Sequence, residues 1–387
     1  MEKLSFTRRQ ILKAAGAAGG LAAASSLLYP GIFLADDEGD NRLGEHRLGN
    51  FGPWAEPNQI IELAADPSRG DFNFHPAISR DQLTLYFTTT RYATFPPHGK
   101  PPLPPTAIAV VHRRDRDAPW DTSTLTPLSS INDPGGKATG VPNLTADGHV
   151  MYFQSGRSDP SLAPGHGHLW FSRRRDRHDD FGPFGWETPK PVPGNLNTAA
   201  PSQLNQSAAT YFLNPADGTA RLYYAQFEGV GSFADTKQDF DIYISYQDPA
   251  GNFGAGTRVE ALEPEEPGEP DGPSESKVKS WSRQTRTAIR RDGLEMYITS
   301  CRRSLSYANP ANLENLWVAT RSDASTEDWR VADSPDAVLN SGFGDGGPAL
   351  SRDGKTLYFF SARPALGQPP GTQSWQLWMS TRESLED

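Results

Sequence analysis

Pro348-Ala349-Leu350-Ser351-Arg352-Asp353-Gly354-Lys355-Thr356-Leu357-Tyr358-Phe359-Phe360-Ser361-Ala362-Arg363 reads as a whole hairpin. A short apolar run meets Asp-Gly, a strong turn signal because glycine supplies a positive φ without steric cost and aspartate bonds back to its own turn. The run that follows, Leu357-Tyr358-Phe359, is apolar at consecutive positions. That pattern predicts a strand buried on both faces, since a strand on a half-solvated sheet would alternate.

The unit recurs, and its period decides the fold. Copies begin at Pro76, Pro142, Pro201 and Thr287 as well as Pro348, and a tyrosine falls ten residues later in each (Tyr86, Tyr152, Tyr211, Tyr297 and Tyr358). An arginine falls fifteen residues later in four of them: Arg91, Arg157, Arg302 and Arg363. Self-similarity at this length marks a repeat architecture with one supersecondary unit per copy. The third copy lacks the turn and the arginine, and the apolar run Ala220 to Ala225 reads as an interruption. A third strand follows each hairpin (Ile108, Leu169, Ile242, Leu316 and Leu377 begin them), and an aromatic announces a fourth at Trp120, Trp186, Phe253 and Trp329. Four strands per unit is the blade of a propeller.

The last unit stops at Asp387 without a fourth strand, and the missing piece stands at the other end. Phe51 to Leu63 is similar to the stretch from Trp329 to Leu339, and Trp54 precedes Pro76 by the 22 residues that separate Trp120 from Pro142. The expected fold is therefore all-β, a five-bladed β-propeller over residues 51–387, closed by an N-terminal strand that completes the last blade. Closure removes the exposed sheet edge.

Composition agrees. In 387 residues, 36 Gly and 34 Pro mean frequent turns, and 36% hydrophobic content suits many short strands. Residues 1–35 read as a signal peptide: Thr7-Arg8-Arg9-Gln10-Ile11-Leu12-Lys13 resembles the twin-arginine export motif, and the apolar stretch Ala14 to Leu28 is too short and mild for a membrane span. Cleavage after Ala24 or Ala35 would leave residues 36–50 as a linker and a periplasmic or secreted protein, with no transmembrane span after signal removal. Losing four cations and one anion with that segment takes the formal charge from −10 to −13, which would repel a nucleic-acid backbone. The one cysteine, Cys301, can form no internal disulfide. A monomer without cofactor is expected.

The repeat, read best in residues 348–363, resembles the WD40-like repeat of TolB-type β-propellers. That resemblance implies a scaffold or binding module rather than one particular enzyme. The chain departs from TolB in showing five motifs rather than six and no separate N-terminal domain.

Three sets of residues could carry function. Three positions before each copy stand Asn73, Thr139, Thr198, Gln284 and Asp345, a polar ring that either holds a ligand or solvates an axial channel. The arginines Arg91, Arg157, Arg302 and Arg363 end equivalent strands at one face. They form either an anion-binding rim, for which forked guanidinium donors are suited, or ties to loop carboxylates such as Asp71, Asp133 and Asp345. His75 and Arg286 are placed to reach the channel mouth. His166 and His168 lack a third ligand, so no metal site is expected. The acidic, proline-rich stretch 260–277 reads as a surface loop, and its spacing matches no EF-hand.

Two functions remain. The first is an exported, non-catalytic module that binds a protein, peptide or glycan at the arginine-rich end. The alternative is a propeller hydrolase acting on polysaccharide or glycoside, whose chemistry calls for two opposed carboxylates. Only Asp345 in the expected ring is acidic, and no Gly-x-Ser-x-Gly, His-Glu-x-x-His or phosphate loop appears, so binding is the first reading.

Overall fold

The computed structural model describes residues 51–92, 106–162, 167–198, 205–227, 240–263, 284–302, 313–364 and 374–385. The export motif, the linker and most of the acidic stretch lie outside them. Twenty strands form five four-stranded antiparallel sheets. Blade 1 is β2 (Asn73–Ile78), β3 (Thr84–Thr89), β4 (Ala107–His112) and β5 (Asp121–Pro127). Blade 2 is β6 (Thr139–Leu144), β7 (Val150–Ser155), β8 (His168–Arg173) and β9 (Lys190–Pro191), and blade 3 is β10 (Asn205–Leu213), β11 (Ala220–Phe227), β12 (Phe240–Tyr246) and β13 (Thr257–Arg258). Blade 4 is β14 (Gln284–Ile289), β15 (Glu295–Ser300), β16 (Asn315–Thr320) and β17 (Arg330–Val331). Blade 5 combines β18 (Asp345–Leu350), β19 (Thr356–Ser361) and β20 (Gln376–Thr381) with β1 (Asn58–Gln59), which pairs Asn58 with Met379 and Gln59 with Trp378. The first strands touch one another in the cycle β2, β6, β10, β14, β18, β2, which is a closed ring.

The doubly apolar second strands do what their composition requires. Every residue of β3, β15 and β19 is buried. Instead of one core there are five apolar clusters, one at each seam between neighbouring blades. The turns follow their sequence as well. Ser79, Thr145 and Ser351 each donate a hydroxyl bond of 2.6 Å to the turn aspartates Asp81, Asp147 and Asp353. Gly148, Gly293 and Gly354 take positive φ at the next position, and in blade 1 Gln82 takes it instead, at 63°.

A polar staple crosses four of the seams. The arginine after the third strand (Arg113, Arg174, Arg321 or Arg382) donates Nε to a turn carbonyl of its own blade, at 2.6–2.8 Å. Its guanidinium lies over the fourth-strand tryptophan, 4.0–4.5 Å from the ring centre. From there it reaches the second-strand tyrosine of the preceding blade, directly at Tyr358, Tyr86 and Tyr297 and through Glu327 at Tyr223.

Blade 3 corrects the reading of its sequence. Its repeat does not begin at Pro201. Tyr211 lies on the first strand, and Ala220–Phe227 is the second strand rather than an interruption. The hairpin turns at Asp217-Gly218, with Gly218 at φ 70°. The register Gln206↔Gln226 corresponds to Asn73↔Thr89, Gln284↔Ser300 and Asp345↔Ser361, so the ring position in blade 3 is Gln206. Thr198 instead closes a short 3-10 turn, Leu196–Thr198, that precedes the blade.

Candidate functional site at the ring axis

The polar ring is Asn73, Thr139, Gln206, Gln284 and Asp345, all at most 2% exposed. Such burial requires partners, and most of these side chains find them within their own blade. Asn73 Nδ2 donates to Leu63 O at 2.7 Å, and Gln206 Nε2 to Leu196 O at 2.5 Å. Thr139 Oγ1 lies 3.1 Å from Ser155 Oγ. Asp345 accepts from Ser341 N at 2.5 Å, Ser341 Oγ at 2.9 Å and Arg363 Nη2 at 2.7 Å. Asn73, Gln206 and Asp345 thereby anchor the loops that lead into their blades, whereas the Gln284 side chain has no hydrogen-bond partner among the described residues.

The strand-ending arginines finish the same anchor. Arg91, Arg157, Arg302 and Arg363 each donate Nη2 to the carbonyl of a buried aliphatic residue in the loop: Leu63, Ile131, Leu262 and Leu339. Arg157, Arg302 and Arg363 also lie over Trp170, Trp317 and Trp378, at 5.1, 5.4 and 4.8 Å. Only Arg363, through Asp345, makes an ion pair among the described residues. Burial pushes Arg302 down to about 10 and lowers Arg91 and Arg157. In blade 3 the counterpart of these arginines, position 228, lies outside the described residues, and the loop carbonyl of Leu196 accepts from Gln206. This geometry supports the tie rather than the rim, and the tie is mainly to backbone.

The residues that face the axis come two places later, at an irregularity in each first strand that breaks the register between Phe74 and Ala77 and at the matching places of the other blades. They are His75, Val141, Ala208, Arg286 and Gly347. Four have left-handed backbone, with φ of 50°, 57°, 56° and 63° in that order, leaving out Arg286. Gly347 is required twice over, because a Cβ there would meet Phe360 at 2.6 Å and His75 Nδ1 at 2.9 Å.

Arg286 crosses the bore. Its Nη2 donates to Pro142 O at 2.5 Å and Pro76 O at 3.2 Å, on two blades not adjacent to its own. It does not stand at a mouth: it is wholly buried, and burial lowers its pKa to about 9, so it stays charged at neutral pH. It separates two ends. Toward the strand starts, His75 meets Phe74 and Phe360 edge-on at 5.2 and 5.1 Å, and Phe360 meets Trp375 at 4.9 Å. His75, Phe74 and Trp375 are partly exposed there. Toward the turns lies a cavity of about 170 Å³ to which all five first strands contribute, with Arg80, Arg286, Arg291 and Arg352 in its wall and no carboxylate.

Among the remaining candidates, His168 is buried at the start of β8, and His166 lies outside the described residues. No group of three metal-ligating side chains occurs among the described residues, where no helix is long and apolar enough to cross a membrane. Sequence reasoning missed Gln206, because blade 3 was misaligned. It also missed Val141, Ala208 and Gly347, although their signal was present: each inward residue immediately precedes the proline of the repeat or its counterpart.

No family model and no curated protein sequence matches the chain. Solved structures do. The catalytic domain of the GH62 alpha-L-arabinofuranosidase of Coprinopsis cinerea is 12% identical, with a TM-score of 0.50 over 85% of this chain and 96% of that one. A GH62 hydrolase in complex with xylotriose is 10% identical, TM-score 0.50, over 86% and 98%. A putative glycosidase of Bacteroides thetaiotaomicron is 10% identical, TM-score 0.50, over 86% and 97%. At such identity the likeness shows the fold, which is that of five-bladed propeller glycosidases. It corrects two expectations. The resemblance to TolB-type WD40-like propellers is not upheld, since no family model matches and the solved structures of similar fold are glycoside hydrolases. The expectation of a non-catalytic binding module is not upheld either, because the solved structures that share this fold are glycosidases.

Proposed function

We propose that this protein is a glycoside hydrolase acting on an oligo- or polysaccharide held at the end of the bore where the first strands begin. The observation that carries the reading is the partly exposed group of Phe74, His75 and Trp375 with Phe360 behind it, on a ring shared over nearly the whole length of glycosidases. The apolar C–H face of a sugar packs on such rings, while its hydroxyls stay available to polar groups. The inward ring offers no pair of carboxylates. Asp345 is buried and already bonded to Ser341 and Arg363, so proton transfer in this reading falls to His75.

The test is hydrolysis by the purified full-length chain of aryl α-L-arabinofuranosides and xylo-oligosaccharides, followed by release of chromophore and reducing ends. Turnover is expected, and His75→Ala should lower kcat by at least about 100-fold while leaving the melting temperature near that of the parent. Failure to cleave any glycoside overturns the reading. Full activity in His75→Ala removes His75 from it.

A further inference from the structure

The turn-side cavity is a second site with different chemistry. We propose that it binds a small oxyanion (a carboxylate, sulfate or phosphate) above Arg286. Four arginines line it and no acid does. Arg286 supplies the stronger argument. Its Nε and Nη1 are buried without a hydrogen-bond partner among the described residues, and Nη2 is satisfied only by two neutral carbonyls. A guanidinium removed from water and left without counter-charge is costly, and such groups are normally paired. Burial lowers the Arg286 pKa, as expected where no anion offsets the loss of hydration.

Nearby acids do not fill the role. Asp81, Asp147 and Asp353 accept hydrogen bonds from Ser79, Thr145 and Ser351 and from the backbone amides of Leu83, His149 and Lys355 within their own turns. The cavity offers about 170 Å³ to the centres of water-sized molecules, ample for a small oxyanion with several waters, since about 10–15 Å³ on that measure admits one water. Asn143 and Thr145 add polar groups to a wall whose charge comes from blades 1, 4 and 5. Convergent positive charge around a concave, partly dry site focuses the field on whatever anion enters.

Thermal unfolding and titration calorimetry on the full chain test this, with sodium sulfate, phosphate, acetate and glucuronate in separate arms against sodium chloride at equal ionic strength. One class should stabilise in a saturable way at low millimolar concentration, below the range where sulfate stabilises proteins generally. Saturation by sulfate and phosphate assigns a tetrahedral ligand, and saturation by acetate or glucuronate a carboxylate. Arg286→Met should melt no lower than the parent without anion, having lost an unpaired buried charge, and should lose the anion-dependent gain. Arg80→Gln with Arg352→Gln, at the wall rather than the centre, should weaken binding at least about tenfold and decides the matter if Arg286→Met does not fold. The site is overturned if no oxyanion exceeds chloride, or if the double variant, or a folded Arg286→Met, keeps the full response. Loss of hydrolysis bears on the other end of the bore and leaves this result unaffected.

Discussion

The seam between blades 1 and 2 and the seam between blades 2 and 3 solve one packing problem with different chemistry. At the first, Tyr86 donates to Asp180 at 2.6 Å, Arg174 reaches Asp180 at 2.7 Å and Tyr86 at 2.9 Å, and Trp186 donates to Asp180 at 2.8 Å. At the second there is no arginine after the third strand. Tyr152 stacks on Tyr211 with centroids 5.6 Å apart and planes 8° from parallel, and Phe253 meets it edge-on at 6.1 Å. The polar staple is directional and fixes how one blade sits on the next, but every member depends on the others. The aromatic seam has less geometric specificity and no charge to strand. Low local dielectric raises the stakes of the first and hardly touches the second.

Breaking the staple should therefore cost most. Arg174→Ala leaves Asp180, with its side chain 2% exposed, as a buried carboxylate without its arginine and with only His112, at 3.6 Å, as a basic neighbour. A loss of about 3–5 kcal/mol is expected in denaturant unfolding. Next comes the hydroxyl comparison. Tyr86→Phe removes a bond to a charged group and should cost about 1.5–3 kcal/mol. Tyr152→Phe at the aromatic seam should stay within about 0.5 kcal/mol, because no partner bonds that hydroxyl among the described residues. Equal costs for the two would erase the distinction drawn between the seams.

The mildest perturbation of a staple is in pH. Desolvation raises the Glu295 pKa, but hydrogen bonds from Arg382 and Tyr297 and the charges of Arg382 and Arg290 outweigh it and hold the group below its ordinary 4.5. A depressed carboxylate stabilises fully above its unfolded pKa, and that stability is lost as pH falls through the folded value. Glu295→Gln should thus flatten the acid limb of the stability profile, by no more than about 1.4 kcal/mol per pH unit. An unchanged acid limb would show that the carboxylate at this seam is not what acid attacks.

The sequence made the ring legible because burial on both faces leaves a mark that survives divergence: Leu85-Tyr86-Phe87 and Leu357-Tyr358-Phe359 cannot be solvated strands. Blade 3 misled because Tyr211-Phe212 imitates the Tyr-Phe pair of a second strand, while the real pair, Tyr223-Tyr224, comes later because both strands of this hairpin run two pairs further, to Leu213↔Ala220, than in blade 1. The strand-ending arginines were visible, but their acceptors were not. Leu63 O or Leu262 O is a main-chain group, and no residue type advertises it. Arg286 was the least legible of all, since nothing local tells that a side chain spans the bore to reach prolines 144 and 210 positions away.

Five unlike side chains, histidine, valine, alanine, arginine and glycine, occupy one equivalent place around the axis. For Val141 the left-handed kink is strained, because a branched Cβ crowds the backbone there, at a cost of about 1–3 kcal/mol. The kink nonetheless persists, so the sheets on either side dictate it and the residue merely complies. The lining can therefore differ from blade to blade while strand pairing continues, although Gly347 admits no side chain beside Phe360 and His75. New reactivity can enter such a molecule by a door in one blade that leaves the hinges of the others in place.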